Sequence, residues 1–229
     1  MRYPFSFFAL LGCLLTACSK EDADAAGTVS AGTATITGAY SSGTAAGSAE
    51  TSYNADDILA NSSFTDTVLI QYGVTTTVTN PLENNGVAVT VSGDDVTVNA
   101  SVAGVVYQLQ GTASDGSLKL YSDKKFALLL NGVTLTNNDG PAINIQSKKR
   151  AFVVLAANTS NSLNDGASYT AANGDEDQKA TLFSEGQLIF SGAGSLTVSG
   201  NYKHAICSDD YIRVTEGTIT IGKAATDGF

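Results

Sequence analysis

The sequence predicts an all-β domain, and within that class a parallel β-helix, a solenoid whose coils each take about 24 residues. One observation is alternation: beyond Val87, short runs of Val, Ile, Leu and Thr alternate with polar residues and stop at Gly, Asn and Asp. No segment keeps the 3.6-residue apolar period of a helix. The second observation is an internal repeat. Leu188–Val198 is echoed by Ile212–Ile221, which begins 24 residues later, and Phe126–Leu135 carries the same pattern.

The N-terminal residues predict a lipoprotein. Residues 1–17 have the proportions of a signal peptide, because Arg2 precedes an apolar run that is too short to span a bilayer comfortably. The residues ending in Cys18 resemble a bacterial lipobox, so we expect cleavage before Cys18 and acylation of its thiol. Ser19–Asp22 resembles the surface-export signal of lipoproteins from Bacteroidetes-group bacteria. We therefore expect an outer membrane lipoprotein, exposed on the cell surface and bound to the membrane through its acyl anchor.

Three further parts follow the signal. Residues 18–55 are rich in Ala, Gly, Ser and Thr, which predicts a flexible tether. Residues 56–86 predict a lead-in or cap, in which Asp56–Leu59 could start a helical turn while Thr67–Tyr72 alternates like a strand. Residues 87–229 predict the β-helix domain, and we expect it to be truncated because the repeat stops inside a coil.

One coil of the predicted β-helix is longer than its neighbours. Arg150 to Gln187 spans 37 residues, and the excess, Asn158–Lys179, is polar and acidic. Insertions in repeat proteins map to loops, frequently on the binding side. Elsewhere inward side chains of successive coils should stack in columns, for which we expect Leu128, Leu130, Val154, Leu188, Phe190, Ile212 and Val214.

Composition excludes several classes of function. With 22 acidic and 12 basic residues the net charge is −10, which disfavours nucleic acid as a partner because phosphate affinity comes largely from Lys and Arg. A single histidine, His204, excludes metal sites built from several histidines. Cys207 is expected to be a small buried hydrophobe. The residues assign no catalytic group.

Stacking of the coils predicts a calcium site. Glu185 and Asp209 occupy equivalent turns 24 residues apart, so their carboxylates should lie about 4.8 Å apart on adjacent strands. A hard cation with oxygen ligands would relieve their repulsion. We expect Ca²⁺ at Glu185, Asp209, Asp210 and Asp227. The alternative is that these are solvated turn residues without a metal, since Asp is common in turns.

Ordered runs of Gly and Asp turns carry a family resemblance. They are Leu129–Val133, Asp139–Ile143, Ser162–Gly166, Ser191–Leu196 and His204–Ile206. In this order they resemble the bacterial carbohydrate-binding domain-containing protein family. The resemblance covers roughly 75–229 and implies a polysaccharide-lyase-like, right-handed parallel β-helix, with calcium and acidic, pectin-like polysaccharide as ligands.

Three functions stay open from the sequence. The first is a cell-surface module that binds polysaccharide with calcium, contacting it through Tyr202, Lys203, Tyr211 and Arg213. The second is a calcium-dependent polysaccharide lyase, in which Lys203 or Arg213 beside Asp209 would abstract the sugar proton. The third is a structural or adhesive surface solenoid. Because a −10 protein repels a polyanion, the first function needs calcium to bridge protein and sugar carboxylates. The family resemblance favours this binding function over the lyase.

Overall fold

The computed structural model describes residues 54–229 as an all-β domain. Cys18, the signal peptide and the predicted tether up to Tyr53 lie outside the described residues. No helix between Asn54 and Phe229 is long and apolar enough to cross a membrane. Two short 3-10 turns, Ala55–Asp57 and Leu59–Asn61, precede the first strand.

Sixteen strands follow in the described part of the chain. They are β1 (Asp66–Tyr72), β2 (Thr77–Thr79), β3 (Val87–Ser92), β4 (Asp94–Ala100), β5 (Val105–Ala113), β6 (Gly116–Ser122), β7 (Phe126–Asn137), β8 (Ile143–Gln146), β9 (Ala151–Leu155), β10 (Ser160–Asp165), β11 (Ala180–Ser184), β12 (Leu188–Ser191), β13 (Ser195–Gly200), β14 (His204–Ser208), β15 (Ile212–Val214) and β16 (Thr218–Ala224).

The strands form two mixed, mostly parallel sheets. The first sheet has ten strands in the order β15-β12-β9-β7-β10-β13-β16, with β5 beside β7, β1 beside β5 and β2 beside β1. The second has six, in the order β14-β11-β8-β6-β4-β3. Only β1 with β2 and β3 with β4 pair antiparallel among the described strands. One apolar core joins the two sheets, with Leu118 and Ile143 from the second sheet and Leu128 and Phe190 from the first.

The predicted right-handed parallel β-helix is wrong. Both described sheets are open, neither closes into a solenoid, and their arrangement is sandwich-like. The physical reason is visible in β7: Asn131–Gly132, a turn-forming pair in the repeat copy Phe126–Leu135, lies inside a single strand of twelve residues. Gly132 has a φ of 74°, which bends the strand without ending its pairing.

The internal repeat corresponds to strand pairing. Leu188 pairs with Ile212 and Leu182 pairs with Ile206, so each residue stands beside its counterpart 24 positions later. Apolar residues of equivalent strands therefore stack in the core, and Leu128 pairs with Val153 in this way. Val154, which was expected to point inward, packs instead in a smaller apolar cluster with Phe152.

About a quarter of the predicted insertion, six of its 22 residues, is regular structure. Residues 160–165 form β10, which pairs with β7 and β13 in the first sheet. The loop proper is residues 166–179, which we call the insertion loop. It begins at Gly166, where a Cβ atom would lie 1.8 Å from the backbone oxygen of Asn138, so only glycine fits this close approach.

Candidate functional site

Tyr169, Tyr202 and Lys203 form a small cluster at the surface, which we call the tyrosine–lysine platform, in which Tyr202 is exposed and the other two are half-buried. The two rings are 4.8 Å apart between centroids. The Lys203 ammonium lies 5.3 Å from the Tyr202 ring centroid and 5.6 Å from that of Tyr169. Tyr202 keeps 41% of its surface exposed, so its ring is open to a ligand. The structure thus brings together two predicted ligand-binding residues and adds a third from the insertion loop.

Hydrogen bonds to Asp165 hold the platform in position. Its carboxylate accepts a hydrogen bond from the Tyr169 hydroxyl at 2.6 Å and another from the backbone N–H of Asn201, while its backbone oxygen accepts from Asn201 Nδ2 at 2.8 Å. Asp165 is buried at the end of β10, and Asn201 begins the turn between β13 and β14. Burial, followed by the bond to Asp165, raises the pKa of Tyr169, which therefore stays a neutral donor.

The platform carries positive charge in an acidic protein. Lys203 Nζ donates to the backbone oxygen of Gln178 at 2.7 Å, and no ion pair within residues 54–229 involves Lys203. An ammonium has three donors, so two remain for a ligand. Lys223 adds a second cation nearby, because its Nζ donates to Asn201 Oδ1 at 2.9 Å. An aromatic face beside these cations can stack a sugar ring and pair with a carboxylate.

Tyr211 and Arg213, the other two predicted ligand-binding residues, lie elsewhere. The Tyr211 hydroxyl donates to Asp57 Oδ1 at 2.7 Å, and Arg213 donates to Asp57 Oδ2 at 2.9 Å. Arg150 donates to Asp57 Oδ1 at 2.8 Å. Burial opposes charge on Asp57, but the hydrogen bonds from Tyr211, Arg213 and Arg150 outweigh it, so the Asp57 pKa is lowered. We call these four residues the Asp57 network. It holds the first described residues, around Asp57, against the first sheet.

The four predicted calcium ligands are not gathered into one site. Glu185 and Asp209 follow paired residues, but Asp209 forms an ion pair with Lys179 at 2.7 Å. Asp210 accepts a hydrogen bond from Gln187. Asp227 lies at the opposite end of β14, where its backbone oxygen accepts from Ala205 and its carboxylate is 3.3 Å from His204 Nδ1.

These carboxylates do not fit a calcium shell as a set. Lys179 also pairs with Asp177 at 2.9 Å, so a lysine ammonium already offsets part of the negative charge around Asp209. The pKa of Lys179 is raised by its hydrogen bonds to Asp209 and Asp177, which keeps that charge in place. Across residues 54–229, no group of three or more His, Cys, Asp or Glu side chains is arranged to hold a metal ion.

The insertion loop lies on the outer face of the second sheet. Glu176 pairs with Lys119 of β6 at 2.9 Å and accepts a hydrogen bond from the Tyr121 hydroxyl. The backbone oxygen of Asp177 accepts from Gln146 of β8 at 2.9 Å. Burial opposes ionisation of Glu176, but its bonds from Tyr121 and Lys119 prevail and lower its pKa. The loop is therefore docked by charged hydrogen bonds.

Sequence reasoning missed Tyr169 as a platform residue. Its only signal was its place in an insertion expected on the binding side, and nothing local distinguished it from a solvated loop tyrosine. Tyr202 and Lys203 were named because they were expected to point outward on one face of the predicted β-helix, and their contact with a ligand stays a prediction. The Asp57 network had no local signal, since Asp57 and Arg213 are 156 residues apart.

Comparison with known proteins places the chain in a family. The family described as "Carbohydrate-binding domain-containing protein" matches residues 92–229. A relative of that name from Acetivibrio thermocellus is 30% identical over 119 residues, which are 51% of this chain and 42% of the relative, so the match spans less than half of the relative's length.

A solved structure shares the fold. It is described as "Structure of the polysaccharide lyase-like protein from C. thermocellum, Gadolinium derivative", with a TM-score of 0.58 and 24% identity over 67% of this chain and 60% of that one. Because the family match covers more than half of the sequence, the chain belongs to the carbohydrate-binding domain-containing protein family.

Proposed function

We propose that the chain binds an acidic, pectin-like polysaccharide at the tyrosine–lysine platform. The observation that carries this is the Lys203 ammonium, which stands over two tyrosine rings with no carboxylate partner among the described residues. Family membership supports a carbohydrate ligand. The platform's charge supports an acidic one, because the net charge of −10 of the whole chain otherwise repels polyanions.

Each group of the platform has a separate role in this proposal. Tyr202, the more exposed ring, stacks on the apolar face of a sugar. Lys203 donates to the carboxylate of a uronate, and Lys223 adds long-range attraction. Tyr169 is a positioning residue, because it supports the Tyr202 ring and the ammonium while its hydroxyl is committed to Asp165.

The experiment is retention of the purified protein on immobilised polygalacturonate. Lys203→Ala should weaken retention about tenfold, since a hydrogen bond to a charged group contributes roughly 1.5–3 kcal/mol. Tyr202→Ala should weaken it as well, through lost stacking. Lys125→Ala is the matched control, because it removes the same charge at an exposed position in the β6–β7 turn. Equal loss in Lys203→Ala and Lys125→Ala would contradict the platform.

Calcium and cleavage are tested in the same assay. A calcium bridge between glycan and protein predicts that EDTA releases the protein, whereas direct pairing with Lys203 predicts retention in EDTA and release by salt. Absorbance from unsaturated uronates would reveal a lyase in place of a pure binding module. If the protein shows neither retention nor absorbance, the structural or adhesive alternative remains.

We also propose that the protein is held at the cell surface by lipid on Cys18. The support is the signal-like stretch before Cys18 and the charged residues after it. Labelled fatty acid should be incorporated into the natural chain and not into Cys18→Ser, and only the natural chain should partition into a detergent phase. Cys207→Ser is the control for thiol loss. Equal labelling of Cys18→Ser and the natural chain would contradict the anchor.

A further inference from the structure

A cleft of about 270 Å³ lies on the outer face of the second sheet, and its lining does not include the three platform residues. Its floor includes Thr97, Lys119 and Asn144, which are register neighbours on β4, β6 and β8. Thr170 and Gln178 of the insertion loop form one wall. The volume is close to the lower end of the range for small-molecule sites, about 300 Å³, so the cleft suits one small ring. The other residues that line it are Asp95, Ser117, Leu118, Asn137, Asp139, Gly140 and Pro141.

Asn144 marks this cleft as a binding site. Its side chain faces out of the sheet, because Ile143 and Ile145 on either side are buried in the core, yet only 2% of Asn144 is exposed. Its Oδ1 accepts from Gln146 at 2.7 Å, but its Nδ2 has no partner among the described residues. A buried donor left unpaired costs roughly 1–3 kcal/mol. A ligand oxygen in the cleft would remove that cost.

The charge of the cleft selects its ligand. Asp95 and Asp139 both line it, and neither forms an ion pair with a described residue. The one cation in the lining, Lys119, is already paired with Glu176 at 2.9 Å. The cleft is therefore anionic and repels a uronate. It offers acceptors in two carboxylates and a donor in Asn144, a combination that hydroxyl groups satisfy because each both donates and accepts.

We propose that the cleft binds one neutral sugar residue, with a sugar oxygen accepting from Asn144 Nδ2 and sugar hydroxyls donating to Asp95 and Asp139. None of the three platform residues lines this site, although Lys203 donates to the backbone oxygen of Gln178 in its wall, and the site takes the opposite class of sugar. The protein then recognises a polysaccharide that carries both uronate and neutral residues at two separate places.

To test this, the protein is titrated with neutral hexasaccharides of glucose, xylose and galactose. Binding is measured by calorimetry and by the NMR signal of the Asn144 side-chain amide. At least one should bind and shift that signal. Asn144→Leu should weaken binding of that hexasaccharide about tenfold. Thermal stability should stay equal or rise, because leucine is similar in size to asparagine and has no donor to leave buried and unpaired. Asp139→Ala, at an exposed position, should also weaken binding and serves if Asn144→Leu fails to fold.

Platform variants separate this proposal from the preceding one. Tyr202→Ala should leave neutral-sugar binding unchanged, and Asn144→Leu should leave polygalacturonate retention unchanged. No shift of the Asn144 amide with any of the three sugars would overturn the proposal, because the donor then meets only water. So would unchanged affinity in both cleft variants, or a trigalacturonate that binds the cleft more tightly than the neutral sugars.

Discussion

Asp57 stays ionised although its side chain is almost fully enclosed. Removing a carboxylate from water costs several kcal/mol, and two guanidinium groups and a tyrosine hydroxyl repay that cost here. Replacing only the carboxylate leaves Arg150 and Arg213 without a counterion.

Asp57→Asn should therefore lower the free energy of unfolding by about 3 kcal/mol near pH 7. The folded-state pKa of Asp57 lies below its unfolded value of 3.8, so its stabilisation is complete above that value and is lost as pH falls through the folded pKa. The difference between the natural chain and the variant should shrink in acid. Urea unfolding at several pH values measures it.

Asp56→Asn is the control for this prediction, since it removes a neighbouring carboxylate that is exposed. It should change stability by less than about 0.5 kcal/mol, as surface substitutions usually do. A stability gap for Asp57→Asn that stays constant into strong acid would contradict the assigned pKa.

Among the elements, the insertion loop depends on the residues that dock it and on the glycine where it begins. Thr170 N–H donates to the backbone oxygen of Asp139 at 2.7 Å, and Glu176 reaches Lys119 and Tyr121. The docked loop covers the second sheet and supplies Tyr169 to the platform and Gln178 to the cleft. Both proposed sites therefore need the loop in place.

Gly166→Ala should destabilise the protein by about 1–3 kcal/mol and weaken both sugar-binding activities, because its Cβ would collide with the backbone of Asn138. Gly73→Ala is the matched control, since its Cβ meets no atom closer than 4.0 Å. Chemical unfolding and the two binding assays provide the measurements. Unchanged binding in a folded Gly166→Ala protein would contradict the role of the loop.

For the whole molecule, the sequence predicted strand positions and the 24-residue stacking but not the sheet arrangement. Apolar alternation and repeats are local signals, and they fix which residues pair, as in Leu188 with Ile212. Whether a turn ends a strand or bends it depends on backbone pairing on both sides. At Gly132 the strand continues, and the expected coil becomes part of one wide sheet.

Predictability of the candidate site follows the same division. Tyr202 and Lys203 were predicted as outward side chains on one face of the repeat, and the structure brings these two together. Asn144 stands between two core isoleucines, a pattern that predicts an outward polar side chain but not the loop that covers it. Tyr211 and Arg213 were predicted to contact a ligand, whereas the structure pairs them with Asp57. Nothing in the sequence indicates that Asp57, which is far away along the chain, is their partner.

The position of the Asp57 network has a consequence for how the domain should respond to a force that pulls on its N-terminal side. Asp57 is paired with Arg213 on β15, which lies at one edge of the first sheet. Strand β1 begins only nine residues after Asp57, yet it lies on the other side of the sheet, beyond β5. The segment between them packs Phe64 edge-on against Phe152 on the way. We therefore expect a pull on the chain ahead of Asn54 to break the ion pairs of Asp57 before it separates β1 from the sheet.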